Sequence, residues 1–178
     1  MLLERLGIPF KVFSPAIDES PHAGERAARL VTRLASGKGR AAADQFPSSV
    51  VIGSDQLAVC NKQIVGKPGS MANAIDQLRK FSSQRVQFLT AVSVLCSEAA
   101  FLFERTIVTD VLFRELSGGE IRRYVEADKP VDCAGSFKSE GGGISLLRSM
   151  TSADPTAIIG LPLIAVSEGL RQAGLQIP

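Results

Sequence analysis

Apolar residues recur along the chain with two periods, and each change of period marks a new element. Val50, Val51 and Ile52 begin an apolar run that resumes at Leu57, Ala58 and Val59, with Gly53-Ser54-Asp55-Gln56 set in its middle. This predicts a strand over 50–59, with Gln63 to Val65 as a short partner across Cys60-Asn61-Lys62. Arg85 to Cys96 is strand-like. Phe101 to Phe113 alternates enough to be a long antiparallel partner, after a turn around Ser97-Glu98-Ala99. Phe10 to Phe13 and Ile144 to Leu147 read as two further short strands.

Helical spacing fills most of the rest. Met1 to Leu6 reads as the end of a helix stopped by Gly7 and Pro9. Ser20 followed by Pro21, with Glu25 just beyond, predicts a helix start, and the stripe of that helix is Ala27, Val31, Leu34, Ala35, Ala41 and Ala42. Lys38 falls on this stripe, so its ammonium either snorkels to the surface or points into a cleft. Gly37 and Gly39 on either side suit close backbone packing or a ligand's approach. Ser70 predicts a cap for a helix with Met71, Ala74, Ile75 and Leu78 on one face. Ser117-Gly118-Gly119-Glu120 has capping-box spacing and opens a helix that ends before Pro130. Asp154-Pro155 starts a short helix stopping at Gly160, and Leu161-Pro162 starts the last one, ending at Gly174. Strands and helices mix without strict βαβ alternation. The expected fold class is therefore α/β, a mixed twisted sheet flanked by helices.

Composition narrows this picture. The 178 residues suit one domain, 1–178, and 45% hydrophobic residues exclude a disordered chain. The longest apolar runs, such as Phe88 to Cys96, are too short to span a bilayer, so no membrane partner is expected. Met1-Leu2-Leu3-Glu4-Arg5 lacks the basic start and apolar core of a signal peptide. The three cysteines, Cys60, Cys96 and Cys133, have no metal-like spacing, and free thiols in a reducing cytoplasm fit them best. Net charge is +2 with the charges scattered, so no nucleic-acid-binding face is expected.

The candidate chemistry starts at Asp55. An ionised carboxylate in an apolar run is costly unless a cation, hydrogen bonds or water compensates it. Either Asp55 ends one strand and caps a turn, or the strand opens there into a polar site. Lys67 in Gly66-Lys67-Pro68 reads as an exposed turn lysine or a phosphate ligand, and Glu19 as a favourable charge near a helix start or a metal ligand. Cys133 to Gly143 is the densest mixture of small and polar residues, an ordinary surface loop or a backbone-rich pocket wall. Together they supply the carboxylates Glu19, Asp55 and Glu140 with the cations Lys38, Lys67 and Lys138. Carboxylates that bind Mg²⁺ and lysines that neutralise phosphate oxygens are what a nucleoside triphosphate site requires. The only histidine, His22, reads as a surface residue, and no Walker-type or Rossmann pattern is present.

In order and spacing, these segments resemble the Maf family of nucleoside triphosphate pyrophosphatases. The resemblance runs through Ile17-Asp18-Glu19-Ser20-Pro21, Gly53-Ser54-Asp55-Gln56, Gly66-Lys67-Pro68 and Phe88-Leu89-Thr90. It continues through Asp132 to Gly141 and ends in Asp154-Pro155 with Gly160-Leu161-Pro162-Leu163. Gln56 after the aspartate and Glu140 in the later motif look like the branch acting on 7-methyl-GTP rather than the dTTP/UTP branch. The resemblance implies Asp55 as proton acceptor and, with Glu19, as ligand of a divalent cation (Mg²⁺ or Mn²⁺). It implies Lys38 and Lys67 as phosphate ligands, and Lys138, Gln56 and Glu140 as further substrate contacts. A homodimer is implied as well. The rival expectation is a non-catalytic nucleotide-binding or septum-related regulatory protein. Family members open with a strand and a Ser-X-Ser-Pro-Arg-Arg-type phosphate loop, then a helix ending Leu-Leu-X-X-Leu-Gly. Met1 to Gly7 reads as the end of that helix, so the expected fold is Maf/ITPase-like without the family's first strand.

Overall fold

A computed structural model describes residues 2–177. Its helices are α1 (Ala27–Gln45), α2 (Met71–Phe81), α3 (Gly118–Asp128) and α4 (Leu163–Gln172). Its strands are β1 (Val51–Cys60), β2 (Gln63–Val65), β3 (Arg85–Cys96), β4 (Phe101–Phe113) and β5 (Leu147–Ser152). The strands form one sheet in the order β2-β1-β3-β4-β5. β1 pairs antiparallel with β2, Val59 opposite Ile64, and β4 pairs antiparallel with β5, Thr109 opposite Ser152. The expected sheet flanked by helices is thus present.

The Cα positions cluster into two compact units. One comprises Met1–Asp55, Thr90–Ile107 and Asp154–Pro178, and the other Gln56–Leu89 and Val108–Ala153. β1 passes from the first into the second between Asp55 and Gln56.

In the first unit, Val92, Val94, Phe103, Ala165, Val166 and Leu170 form a core, with Leu3, Leu6 and Ile8 packed against it. Leu3–Leu6 is a 3-10 turn ended by left-handed Gly7, as the Gly7 signal implied. The expected strand at Phe10–Phe13 is absent, and no helix begins at Ser20. The segment from Ile8 to Arg26 is irregular because its polar groups find local partners. Asp18 Oδ1 accepts from the Ser20 amide at 2.9 Å, and Glu25 Oε2 accepts from the His22 amide at 3.0 Å. Arg33 binds both the Ser20 carbonyl and Glu25. Proline at 9, 15 and 21 removes further ladder donors, so α1 starts only after Arg26, which supplies no side-chain cap.

In the second unit, four aromatic rings make the centre. Phe81 lies 5.4 Å from Phe113, Phe88 lies 5.5 Å from Phe137, and Phe113 lies 5.7 Å from Phe137, centroid to centroid. Ser70 caps α2 through the Asn73 amide, and Ser117 and Glu120 form the expected capping box on α3. The strand expected at Ile144–Leu147 lies further on. Gly142–Leu146 is a 3-10 turn, pinned where Asp128 accepts from the Gly142 amide at 2.7 Å, and β5 begins at Leu147.

Candidate active site

Asp55 sits in mid-strand, and β1 continues without a break to Cys60. The turn-capping reading therefore fails. What compensates its charge is Lys38, whose Nζ donates to Asp55 Oδ1 at 2.6 Å and reaches Glu19 Oε1 at 2.7 Å. Asp55 is 12% exposed and Lys38 24%, whereas Glu19 is 54% exposed, so the ion pair is sheltered on the Asp55 side and wet on the Glu19 side. Burial lowers the Lys38 pKa, but the bonds to Asp55 and Glu19 outweigh it and leave the pKa above the ordinary lysine value. Lys38 stays cationic at neutral pH.

Two glycines make this meeting possible. A Cβ on Gly53 would overlap the Ala35 carbonyl and lie 2.5 Å from the Gly39 nitrogen, so the backbones of α1 and β1 touch. Gly39 adjoins Lys38 and Gly53 lies two residues from Asp55, so the close approach delivers ammonium to carboxylate. Ser54 fixes the strand beside it, its hydroxyl 2.8 Å from both the Ala91 and Gly160 carbonyls. The Gly160 turn is held in turn by buried Asp154, which accepts from the Thr156, Ile164 and Ala165 amides. Sequence reasoning gave neither Ser54 nor Asp154 a part in the site; the signal was a small polar residue directly before the aspartate.

The remaining candidates belong to the second unit. Lys67 and Glu140 are exposed, and Gln56 and Lys138 are partly buried. The Cys133 thiol collects three of them. Burial raises its pKa, Glu140 raises it further, and Lys138 and Lys67 pull it down, so all three charges lie within electrostatic reach of one sulfur. The loop carrying Lys138 and Glu140 is no ordinary surface loop: Ala134, Gly135, Ser136 and Phe137 are all buried. Tyr124, the chain's single tyrosine, donates to the Ser136 carbonyl at 3.2 Å and accepts from the Lys138 amide at 2.9 Å. Burial pushes its hydroxyl pKa well up, so it remains a neutral donor. The Gly135 amide donates to the Gly66 carbonyl at 3.2 Å, joining this loop to the one bearing Lys67.

Among the described residues, no group of three or more His, Cys, Asp and Glu side chains converges as a metal cage. Glu19 and Asp55 nevertheless share one cation already, the Lys38 ammonium, so their oxygens converge on positive charge. A two-carboxylate donor set fits Mg²⁺ or Mn²⁺, which keeps water and takes its other ligands from substrate phosphates. All three cysteines are free thiols, and among the described residues no helix is long and apolar enough to cross a membrane.

The family described as Maf-like protein matches residues 1–173. The chain is 49% identical over 176 residues to the 7-methyl-GTP pyrophosphatase of Albidiferax ferrireducens, covering 99% of this chain and 88% of that one. It is 48% identical over 176 residues to the protein of that name from a Polaromonas species, covering 99% and 80%. With the Pseudomonas aeruginosa protein, again of that name, it shares 48% over 177 residues, covering 99% and 92%. The chain belongs to the Maf family.

Proposed function

We propose that this protein hydrolyses 7-methyl-GTP to 7-methyl-GMP and pyrophosphate. The observation that carries the reading is Asp55, a mid-strand carboxylate held by the Lys38 ammonium at 2.6 Å and so poised beside fixed positive charge. Relatives sharing 46–49% identity that carry the name 7-methyl-GTP pyrophosphatase support the substrate.

Asp55 accepts the proton of a water molecule whose oxygen attacks the α-phosphorus. The bond between the α-phosphorus and the bridging oxygen breaks, pyrophosphate leaves with the electron pair, and Asp55 then returns its proton to solvent. Lys38 orients the Asp55 carboxylate and offsets charge as the attack develops. Lys67 and Lys138 neutralise phosphate oxygens and so offset the negative charge that develops there. A divalent cation, Mg²⁺ or Mn²⁺, held by Glu19 and Asp55 supplies further charge neutralisation at the phosphates when bound. Gln56 and Glu140 read the base: N7-methylation leaves positive charge on guanine, which a carboxylate favours, and Glu140 accepts hydrogen bonds from N1–H and the amino group.

Pyrophosphate release from 7-methyl-GTP, GTP, dTTP and UTP with Mg²⁺ or Mn²⁺ tests the reading. Turnover highest on 7-methyl-GTP is expected. Nucleotide binding without turnover on any of the four would assign the non-catalytic role instead.

A further inference from the structure

We propose that Gln77 is a positioning residue that locks the loop carrying Lys67 to the loop carrying Lys138 and Glu140, an inference that rests on the function proposed above. Gln77 lies on α2, within the same unit as both loops. Its Nε2 donates to the Gly66 carbonyl at 3.3 Å, and its Oε1 accepts from the Ser136 hydroxyl at 2.5 Å. The orientation of this amide is forced. A carbonyl oxygen can only accept, so the amide nitrogen must face Gly66, which leaves the amide oxygen for the Ser136 proton.

What the lock holds is a strained turn. Ser136 has φ +57° and follows Gly135 at φ +60°, two consecutive left-handed residues. Glycine adopts this freely, but serine does so only when its surroundings over-determine it. Ser136 is fully buried, and each of its polar groups is tied. Its amide donates to the Cys133 carbonyl at 3.0 Å, its carbonyl accepts from Tyr124, and its hydroxyl donates to Gln77. A Cβ on Gly135 would lie 3.0 Å from both Ala58 and Phe81, so the turn cannot relax inward. Two residues further on comes Lys138, and one residue beyond Gly66 comes Lys67. The spacing of the two ammonium groups therefore depends on this side-chain amide acting beside the direct bond from the Gly135 amide to the Gly66 carbonyl. That spacing must match the spacing of phosphate oxygens on one substrate.

The test is steady-state kinetics on four variants. Gln77→Met removes both bonds with little change of volume. Gln77→Glu keeps an acceptor for Ser136 but turns a carboxylate oxygen on the Gly66 carbonyl. Each is expected to raise KM for 7-methyl-GTP about 10-fold, with kcat changed far less, because substrate placement rather than proton transfer is lost. Ser136→Ala should raise KM similarly. The Gln77→Met/Ser136→Ala double variant should be no worse than about the larger single effect, since both delete one interaction. A merely structural glutamine would lower Tm and leave KM alone. Unchanged KM in the folded Gln77 variants, or additive effects in the cycle, would overturn the lock. If the wild-type protein releases no pyrophosphate, the functional reading fails separately, and amide hydrogen exchange still reads the lock. Faster exchange at Gly135 and Lys138 in Gln77→Met supports it; unchanged exchange rejects it.

Discussion

One ammonium serves two carboxylates at the heart of the proposed site, and that balance of three charges decides what each substitution does. Asp55→Asn keeps the shape and removes the proton acceptor while Lys38 retains Glu19. The expected outcome is a fall in kcat of about 10²–10⁴-fold, with circular dichroism unchanged. A variant that retains wild-type kcat would remove Asp55 from its role. Lys38 carries a pH signature of opposite sign from a carboxylate's. Because its folded pKa is raised, its contribution is fully present below the ordinary lysine value and is lost as pH rises through the higher folded value. Stability should therefore fall on the alkaline side, and Lys38→Met should flatten that fall in urea melts run through and above the ordinary lysine value of 10.5. Glu140 makes a separate prediction. Glu140→Gln keeps the acceptor oxygen but not the charge, so the preference for 7-methyl-GTP over GTP should shrink while turnover of GTP holds. An unchanged ratio would mean that the methyl cation is recognised elsewhere.

At the scale of elements, the sequence was legible wherever a local signal agreed with its surroundings. The strand-like apolar run of β3 and the alternation of β4 marked Arg85–Cys96 and Phe101–Phe113 at their observed bounds, and the Ser117–Glu120 spacing marked the α3 capping box. It misled at Ser20-Pro21, which looks like a helix start. There Asp18, Glu25 and Arg33 satisfy the backbone in an irregular loop, and those partners are set by folding rather than by spacing. It misled again at Ile144, where the glycine run closes into a 3-10 turn held by Asp128. The Lys38–Asp55 pairing was half legible. A lysine on an apolar stripe and an aspartate in an apolar strand were both visible, but their contact depends on Gly39 meeting Gly53. Gly53→Ala should therefore push α1 off β1, costing about 1–3 kcal/mol from overpacking and lowering kcat with it. A thermal melt and an assay on one sample check both; a loss of stability with full activity would break the link. The capping box predicts acid behaviour. Bonds from Ser117, then Arg114, hold the Glu120 pKa at about 2. Its contribution is present above the ordinary glutamate value of 4.5 and is lost as pH falls toward about 2. An NMR titration of Glu120 with a midpoint near 4.5 would contradict this.

For the whole molecule, the question is whether stability depends on a divalent cation. Two carboxylates brought together without compensation repel, and proteins built that way gain stability when a metal binds the folded state alone. Here Lys38 already supplies the compensating charge to Glu19 and Asp55 at 2.7 and 2.6 Å, so the folded chain has little to gain from an ion until phosphates arrive to share it. Wild-type Tm should then differ by less than about 1 °C between EDTA and millimolar Mg²⁺, while pyrophosphate release should vanish in EDTA. Lys38→Met reverses the first expectation. With the internal cation gone, the paired carboxylates should make Tm rise with Mg²⁺ concentration, following mass action for an ion that binds only the folded state. Scanning calorimetry of both proteins across a Mg²⁺ series separates the cases. A wild-type Tm that climbs with Mg²⁺ as steeply as the variant's would show that Lys38 does not stand in for the metal. Glu19 and Asp55 would then hold an ion independently of it.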